Sequence, residues 1–305
     1  MHAGNQALPV RALTSPVSTE GSAAGSAPDA AWPPPAGQDG GAAAGFAWRL
    51  PGDRGCARSA RAYVRQALAG LQMPKELTDD AELAVGELAA NAWQHALDAG
   101  PQPAALPELW LYRRGGPPGA ELVCGVFDTR RDAWPQPRHN SLRLLPDGAE
   151  LAEPLLDAVL AEDPGSGHGL SIVRAVAHAT GCHRTRSRLS DPAVPGKVAW
   201  FTMEIPASSP AAQSPPADVT PAQAAHALSA LLAARGIPGI SHHHGTQAES
   251  VIFMAAGLTV RCRDGTFQWP ADGTGQRAYS DLADALEDII RLHEDLTCAR
   301  QQTTG

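Results

Sequence analysis

A carboxylate, an amide and an imidazole follow one another at steps of four residues in the first half of this chain. They are Glu87, Asn91 and His95. Residues four apart share one side of a helix, so the three side chains are predicted to form a single ridge. On that ridge Glu87 could take a proton from a hydroxyl or a water, and Asn91 could offer an oxygen to Mg²⁺. A solvated helix face has the same pattern, so the ridge alone leaves both interpretations open.

Two later stretches carry groups that a nucleotide site needs. Asp128 ends a predicted strand, where its carboxylate could accept a hydrogen bond from an amino group such as that of adenine. The segment GSGHGL supplies Gly165, Gly167 and Gly169 directly before a predicted helix, so its backbone can curl around an anion and point amides at it. An ordinary strand end and an ordinary helix-start loop are the alternatives for these two stretches.

The helix that carries the ridge is predicted to span residues 77 to 98. Thr78 or Asp79 can cap its first turn, and Glu82 follows Asp79 at the spacing of a capping box. An apolar stripe near the helical period is predicted to face a core. The stripe consists of Leu83, Leu88 and Ala92, with Ala84 and Ala96 beside them.

The elements around this helix are predicted from alternation, helical periodicity and turn residues. An amphipathic helix precedes it, two strands form an antiparallel pair after it, and a helix that follows the glycines is stopped by Gly181. Arg184, Arg186 and Arg188 are predicted to be the wet face of an edge strand. The predicted ranges are a helix at 54–71, a short helix at 149–160, and strands at 46–50, 108–113, 121–128, 183–189 and 197–205.

Composition excludes several classes of function. The chain has 305 residues, a net charge of -8 and five cysteines that are far apart. This charge argues against direct nucleic-acid binding, and the cysteine spacing argues against a disulfide framework or a zinc knuckle. No apolar run is long enough to span a membrane and no signal-peptide pattern precedes the fold, so a cytoplasmic protein is expected.

Composition also divides the chain. Residues 1–45 are predicted to be a disordered leader rich in Ala, Gly and Pro, 46–206 the main domain, 207–218 a linker and 219–305 a small C-terminal α/β module. The module is expected to contain a helix at 221–235, three strands and a helix at 279–299. Its consecutive histidines, His242, His243 and His244, suit a flexible loop better than a preformed metal site.

The three polar stretches together resemble the GHKL ATPase superfamily, and within it the anti-sigma-factor serine kinases and their actinobacterial relatives. Residues 87–95, ELAANAWQH, are similar to the N box of that superfamily, VFD at Asp128 to its first glycine box, and GSGHGL from Gly165 to its second. The resemblance covers roughly residues 46–206. It implies an α+β fold of the Bergerat type, a two-layer sandwich with helices on one face of a mixed sheet.

The resemblance also implies a role for each motif residue. Glu87 would be the catalytic base, Asn91 the Mg²⁺ ligand and Asp128 the residue that recognises the adenine of ATP. The phosphate loop would contain Gly165, Gly167 and Gly169. Residues 129–164 would form a lid over the nucleotide.

One departure from the family pattern concerns the residues after Asp128. The superfamily usually has D-x-G-x-G there, whereas this chain continues with Thr129, Arg130 and Arg131. Bulky residues at these positions could narrow the adenine pocket, or Arg130 could contact a phosphate.

Two functions follow from the resemblance. The first is an ATP-dependent protein serine/threonine kinase that binds a sigma factor and phosphorylates an antagonist. The second is a non-catalytic adaptor that responds to nucleotide or works without it. The expected partner is a sigma factor or an anti-sigma-antagonist-like protein, with no nucleic acid and no membrane, and assembly into a homodimer is left open.

Overall fold

The computed structural model describes residues 45–98, 105–115, 119–131, 168–209, 219–246, 248–270 and 275–303. Several predictions lie outside these residues. They concern the leader up to residue 44, the helix at 149–160, the lid beyond residue 131, Gly165, Gly167, and residues 210–218 of the linker. The predicted division of the chain into domains at 206 and 219 stays a prediction.

The first sheet has five strands in the order β1-β2-β3-β5-β4. Each neighbouring pair among these described strands is antiparallel. β2 and β3 pair in antiparallel register, as predicted. The strands are β1 at Phe46–Arg49, β2 at Glu108–Arg114, β3 at Glu121–Asp128, β4 at Ala179–Arg186 and β5 at Pro195–Glu204.

Three described helices cover one face of this sheet: α1 at Cys56–Gly70, α2 at Lys75–Asp98 and α3 at His168–Val176. Their buried stripes meet alternate strand residues, because strand residues two apart point to the same face. The two-layer sandwich is therefore confirmed, whereas the described strand pairs are all antiparallel and do not form the mixed sheet that was expected. The shared core includes Val64 and Leu68 from α1, Val85 and Leu88 from α2, Val173 from α3, Cys124 and Val126 from β3, and Phe201 from β5.

The start of α2 and one side of its apolar stripe differ from the sequence prediction. The helix begins at Lys75, two residues before the predicted start at residue 77. The Thr78 hydroxyl donates to the Pro74 carbonyl at 3.0 Å and does not cap the backbone amides of the first turn. Leu83 is 42% exposed, whereas Leu88 and Ala92 are buried. Leu83 lies four residues before Glu87 and therefore belongs to the polar ridge, so its assignment to the core was wrong.

Gly181 does not stop a helix, because α3 ends at Val176 and Gly181 lies inside β4 opposite Trp200. A Cβ at this position would overlap the indole ring of Trp200. The glycine therefore leaves space for a tryptophan on the neighbouring strand. A glycine just after an apolar helical pattern is common to both situations, which explains the wrong prediction.

The C-terminal module contains helix α4 at Pro221–Ala234, a second antiparallel sheet, a short 3-10 helix at Tyr279–Asp281 and helix α5 at Leu282–Thr303. The second sheet has the order β10-β9-β8-β7-β6. Its own buried core includes Leu228, Ile252, Val260, Phe267 and Ile289. Its strands are β6 at Ser241–Thr246, β7 at Glu249–Phe253, β8 at Thr259–Arg263, β9 at Thr266–Trp269 and β10 at Gly275–Ala278.

The three consecutive histidines lie in the edge strand β6, so the loop predicted for them was wrong. Alternation places His242 and His244 on one side, with ring centroids 5.0 Å apart. His243 points to the other side, where it meets Phe253. Among the residues that the structure describes, no group of His, Cys, Asp and Glu could hold a metal ion. None of the described helices is long and apolar enough to cross a membrane.

The module packs through α5 against the face of the first sheet that α1, α2 and α3 leave uncovered. Arg184, Arg186 and Arg188 reach acidic residues of α5: they pair with Asp295, Glu294 and Glu287. The prediction that these arginines form a solvent-exposed face was therefore wrong. The strand is at the edge of the sheet as expected, but a partner from the same chain covers it.

Candidate functional site

Glu87 lies half-buried on α2, beside the first turn of α3. Gly169 is the second residue of α3, and a Cβ on it would lie 2.6 Å from the Glu87 Oε2 atom and 3.4 Å from the Glu87 Cβ. Only glycine lets the two helices approach so closely without moving Glu87. The structure therefore brings Glu87 and one glycine of the predicted phosphate loop together. Gly165 and Gly167 lie outside the described residues.

Asn91 follows one turn after Glu87 and is also half-buried. In the described part of the chain, neither side chain makes a hydrogen bond or an ion pair. The side chain of His95 lies outside the described residues. The carboxylate and the amide oxygen of this ridge have open acceptor positions that suit a hydrated cation, and the helix start beside Glu87 suits an anionic group.

Asp128 is the last residue of β3 and is buried. Leu122, Cys124 and Val126 of the same strand lie in the helix-side core, so Asp128 points to the side on which α2 and α3 lie. The resemblance implies a carboxylate that is available to adenine, whereas in the structure this carboxylate is already paired.

The partner of Asp128 is Lys197, directly opposite on β5. The Lys197 Nζ atom donates to both carboxylate oxygens, at 2.6 and 2.7 Å, and the amide of Arg130 donates to Oδ1 at 2.9 Å. Sequence reasoning missed Lys197, although a signal existed. Lys197 shares the parity of Phe201 and Met203, which are core residues of β5, so alternation places a charge on the buried side.

The loop after Asp128 is tied to the C-terminal module. The Arg131 guanidinium pairs with the Glu294 carboxylate of α5, and Arg186 of β4 donates to the same carboxylate at 2.7 Å. Glu294 is almost fully buried by these contacts. Arg131, which lies between the two positions at which the family usually has glycine, therefore serves a contact within the chain.

A second buried carboxylate, Glu287, belongs to the same helix, α5. It accepts hydrogen bonds from Arg188 and Arg235 at 2.8 Å and from the Thr185 hydroxyl at 2.7 Å. Burial alone would raise the pKa of Glu287, but Arg235 and Arg188 hold that pKa well below its usual value. Both guanidinium groups also lie against the Trp110 ring, 4.9 and 4.4 Å from its centroid. The module is thus joined to the sheet by buried charges.

The two ends of the candidate site fit an ATP–Mg²⁺ complex unequally. The end with Glu87, Asn91 and Gly169 offers oxygen ligands and a helix start, which fits a magnesium-bound phosphate chain. The end with Asp128 offers a carboxylate whose charge Lys197 neutralises. A carboxylate whose negative charge is available to the adenine amino group is therefore not present there.

Comparison with known proteins agrees with the fold. No curated protein matches the chain. A family model matches residues 50–190, and its description is histidine kinase-like ATPase domain. The matched segment includes Glu87, Asn91, Asp128 and Gly169, and it ends before Lys197. Residues 50–190 are therefore similar to a histidine kinase-like ATPase domain, which supports the GHKL resemblance.

Proposed function

We propose that this chain is an ATP-binding regulatory protein of the anti-sigma-factor serine/threonine kinase kind, which controls a transcription regulator by binding a partner protein. The observation that carries the proposal is the contact of Glu87 with Gly169 at the start of α3. It puts a carboxylate with no described partner beside a helix N-terminus inside a segment that matches an ATPase domain. The cofactors of the proposed function are ATP and Mg²⁺, and its location is the cytoplasm.

Asn91, Gly169 and Glu87 each have one task in this proposal. Asn91 offers its amide oxygen to Mg²⁺, which neutralises phosphate charge when it is bound. Gly169 keeps the amides at the start of α3 close to the anionic group. Glu87 accepts the proton of an attacking serine or threonine hydroxyl on the partner protein while that oxygen bonds to phosphorus and the bridging oxygen leaves with the nucleoside diphosphate.

Calorimetric titration with ATP tests the phosphate end. The wild type should bind ATP with Mg²⁺ more tightly than ATP with a chelator. In Asn91→Ala this difference should fall by at least tenfold, because the amide oxygen is lost. Arg58→Ala, an exposed change on α1, is the matched control and should retain the full Mg²⁺ effect. An unchanged Mg²⁺ effect in Asn91→Ala would contradict the assignment of Asn91.

The Asp128–Lys197 ion pair supports a second candidate, a protein-binding adaptor that works without nucleotide. The pair neutralises the carboxylate on which adenine binding depends in the family resemblance. Sigma-factor or antagonist-like proteins remain the proposed partners in this case. Titration separates the two candidates, since an absence of heat at high protein concentration leaves only the adaptor.

A further inference from the structure

We propose that Lys197 is a specificity-determining residue of the nucleotide site. By neutralising Asp128, it makes the site accept purine nucleoside triphosphates whether or not the purine carries an amino group at position 6. The proposal rests on the proposed function, because it concerns the base end of the same site. It names the ligand class as purine nucleoside triphosphates in general instead of ATP alone.

The first argument is the hydrogen-bonding capacity of Asp128. A carboxylate accepts about four hydrogen bonds, two at each oxygen. Oδ1 is filled by Lys197 and the amide of Arg130, and Oδ2 holds the other contact with Lys197. One acceptor position on Oδ2 is left, and it belongs to a carboxylate whose negative charge is already balanced. An adenine amino group that used it would gain a weak, neutral interaction.

The second argument is the cost of displacing Lys197. The side chains of Lys197 and Asp128 are only 3% and 6% exposed. An adenine that replaced the ammonium at Asp128 would bring no charge, so it would leave a buried cation without its partner. Breaking a buried ion pair in this way costs more than one neutral hydrogen bond returns. Adenine therefore cannot recover the full strength of the aspartate.

The third argument is that the backbone register keeps Lys197 opposite Asp128. The preceding residue, Gly196, lies so close to the end of β3 that a Cβ on it would overlap the Asp128 carbonyl and the Phe127 ring. This close approach fixes the register in which Lys197 faces Asp128. The ammonium is therefore a built-in part of the base end, held there by the sheet.

The experiment compares two nucleotides that differ only at position 6. ATP carries the amino group, and purine riboside triphosphate carries a hydrogen in its place. Dissociation constants are measured with Mg²⁺ by calorimetry for the wild type and for Lys197→Thr, which frees the Asp128 carboxylate. The wild type should bind both nucleotides within about threefold. Lys197→Thr should prefer ATP by about tenfold or more, which is the value of one hydrogen bond of about 1.4 kcal/mol.

Lys75→Thr is the matched control, since Lys75 is 80% exposed at the start of α2 and its loss should leave the wild-type ratio unchanged. A wild type that prefers ATP tenfold overturns the proposal without any variant. The proposal can therefore be tested even if Lys197→Thr folds poorly. Equal ratios in wild type and a folded Lys197→Thr also overturn it. Failure of both proteins to bind either nucleotide overturns the proposed nucleotide site itself, and with it this inference.

Discussion

The two ends of the candidate site differ in how their polar side chains are satisfied. At the phosphate end, Glu87 and Asn91 are half-buried and have no hydrogen-bonding partner in the described part of the chain. At the base end, Asp128 is buried and holds an ion pair and a backbone amide. Groups left unsatisfied by the fold are available to a ligand, whereas Asp128 and Lys197 already contribute to the stability of the fold.

This difference separates what the family pattern preserves from what this chain changes. Glu87 and Gly169 form the close packing of α3 on α2 that the proposed phosphate site needs. The residues at and after Asp128 instead make contacts within the chain, with Lys197 on β5 and Glu294 on α5. Four predictions test the contrast in order of their effect on stability.

The largest effect is expected for Asp128→Ala. Removing this carboxylate leaves the buried ammonium of Lys197 without a partner, so the free energy of unfolding should fall by about 3–5 kcal/mol. Urea unfolding followed by circular dichroism measures the change. Glu204→Ala, which removes a 72% exposed carboxylate at the end of β5, is the control and should change stability by less than about 0.5 kcal/mol. A loss below about 1 kcal/mol in Asp128→Ala would show that the base end is as free as the phosphate end.

A pH-dependent effect is expected at Glu287, where the module joins the sheet. Its pKa in the folded protein is well below the usual 4.5, so its ionised form stabilises the fold at neutral pH. This contribution should be fully present above pH 4.5 and should disappear as the pH falls below that value. Glu287→Gln cannot ionise, so its stability deficit relative to the wild type should shrink in acid. A deficit that stays constant from neutral pH to acid would contradict the role of the charge.

A smaller effect is expected for Gly169→Ala. The added methyl group meets the Glu87 carboxylate, a movable group, and also the less movable Glu87 Cβ at 3.4 Å. We expect a loss of about 1–3 kcal/mol in stability and weaker binding of ATP, since α3 must move away from α2. Ser171→Ala, an exposed change on the same helix, should leave both unchanged. Full ATP affinity in a folded Gly169→Ala would show that the close approach is not needed.

Much of the architecture follows from local patterns in the sequence. The strands β2, β3 and β5 are recognisable because apolar and polar residues alternate in them or because they contain long apolar runs. The ridge on α2 depends only on helical spacing. The same is true of α4, where Thr220 and Gln223 form a capping box in the structure. Within a single element, a few residues carry the information.

The features that the sequence did not reveal depend on contacts between distant elements. Lys197 and Asp128 are 69 residues apart, and only the register of β3 with β5 makes them partners. The arginines of β4 looked solvated because their acidic partners come from α5, about a hundred residues later. The early start of α2 has a local cause, the position of Pro74 before the first turn, which a proline is well suited to occupy.

The smallest effect on stability, and the clearest functional one, is expected for Glu87→Gln. Because no described group pairs with Glu87, the substitution should change the free energy of unfolding by less than about 0.5 kcal/mol. Loss of a general base should lower phosphate transfer to a partner protein by roughly 10²- to 10⁴-fold while ATP binding is retained. Labelled-phosphate transfer and calorimetry measure the two quantities. Unchanged transfer would remove Glu87 from the chemistry, and a large loss of stability would show that the ridge, like the base end, is part of the fold.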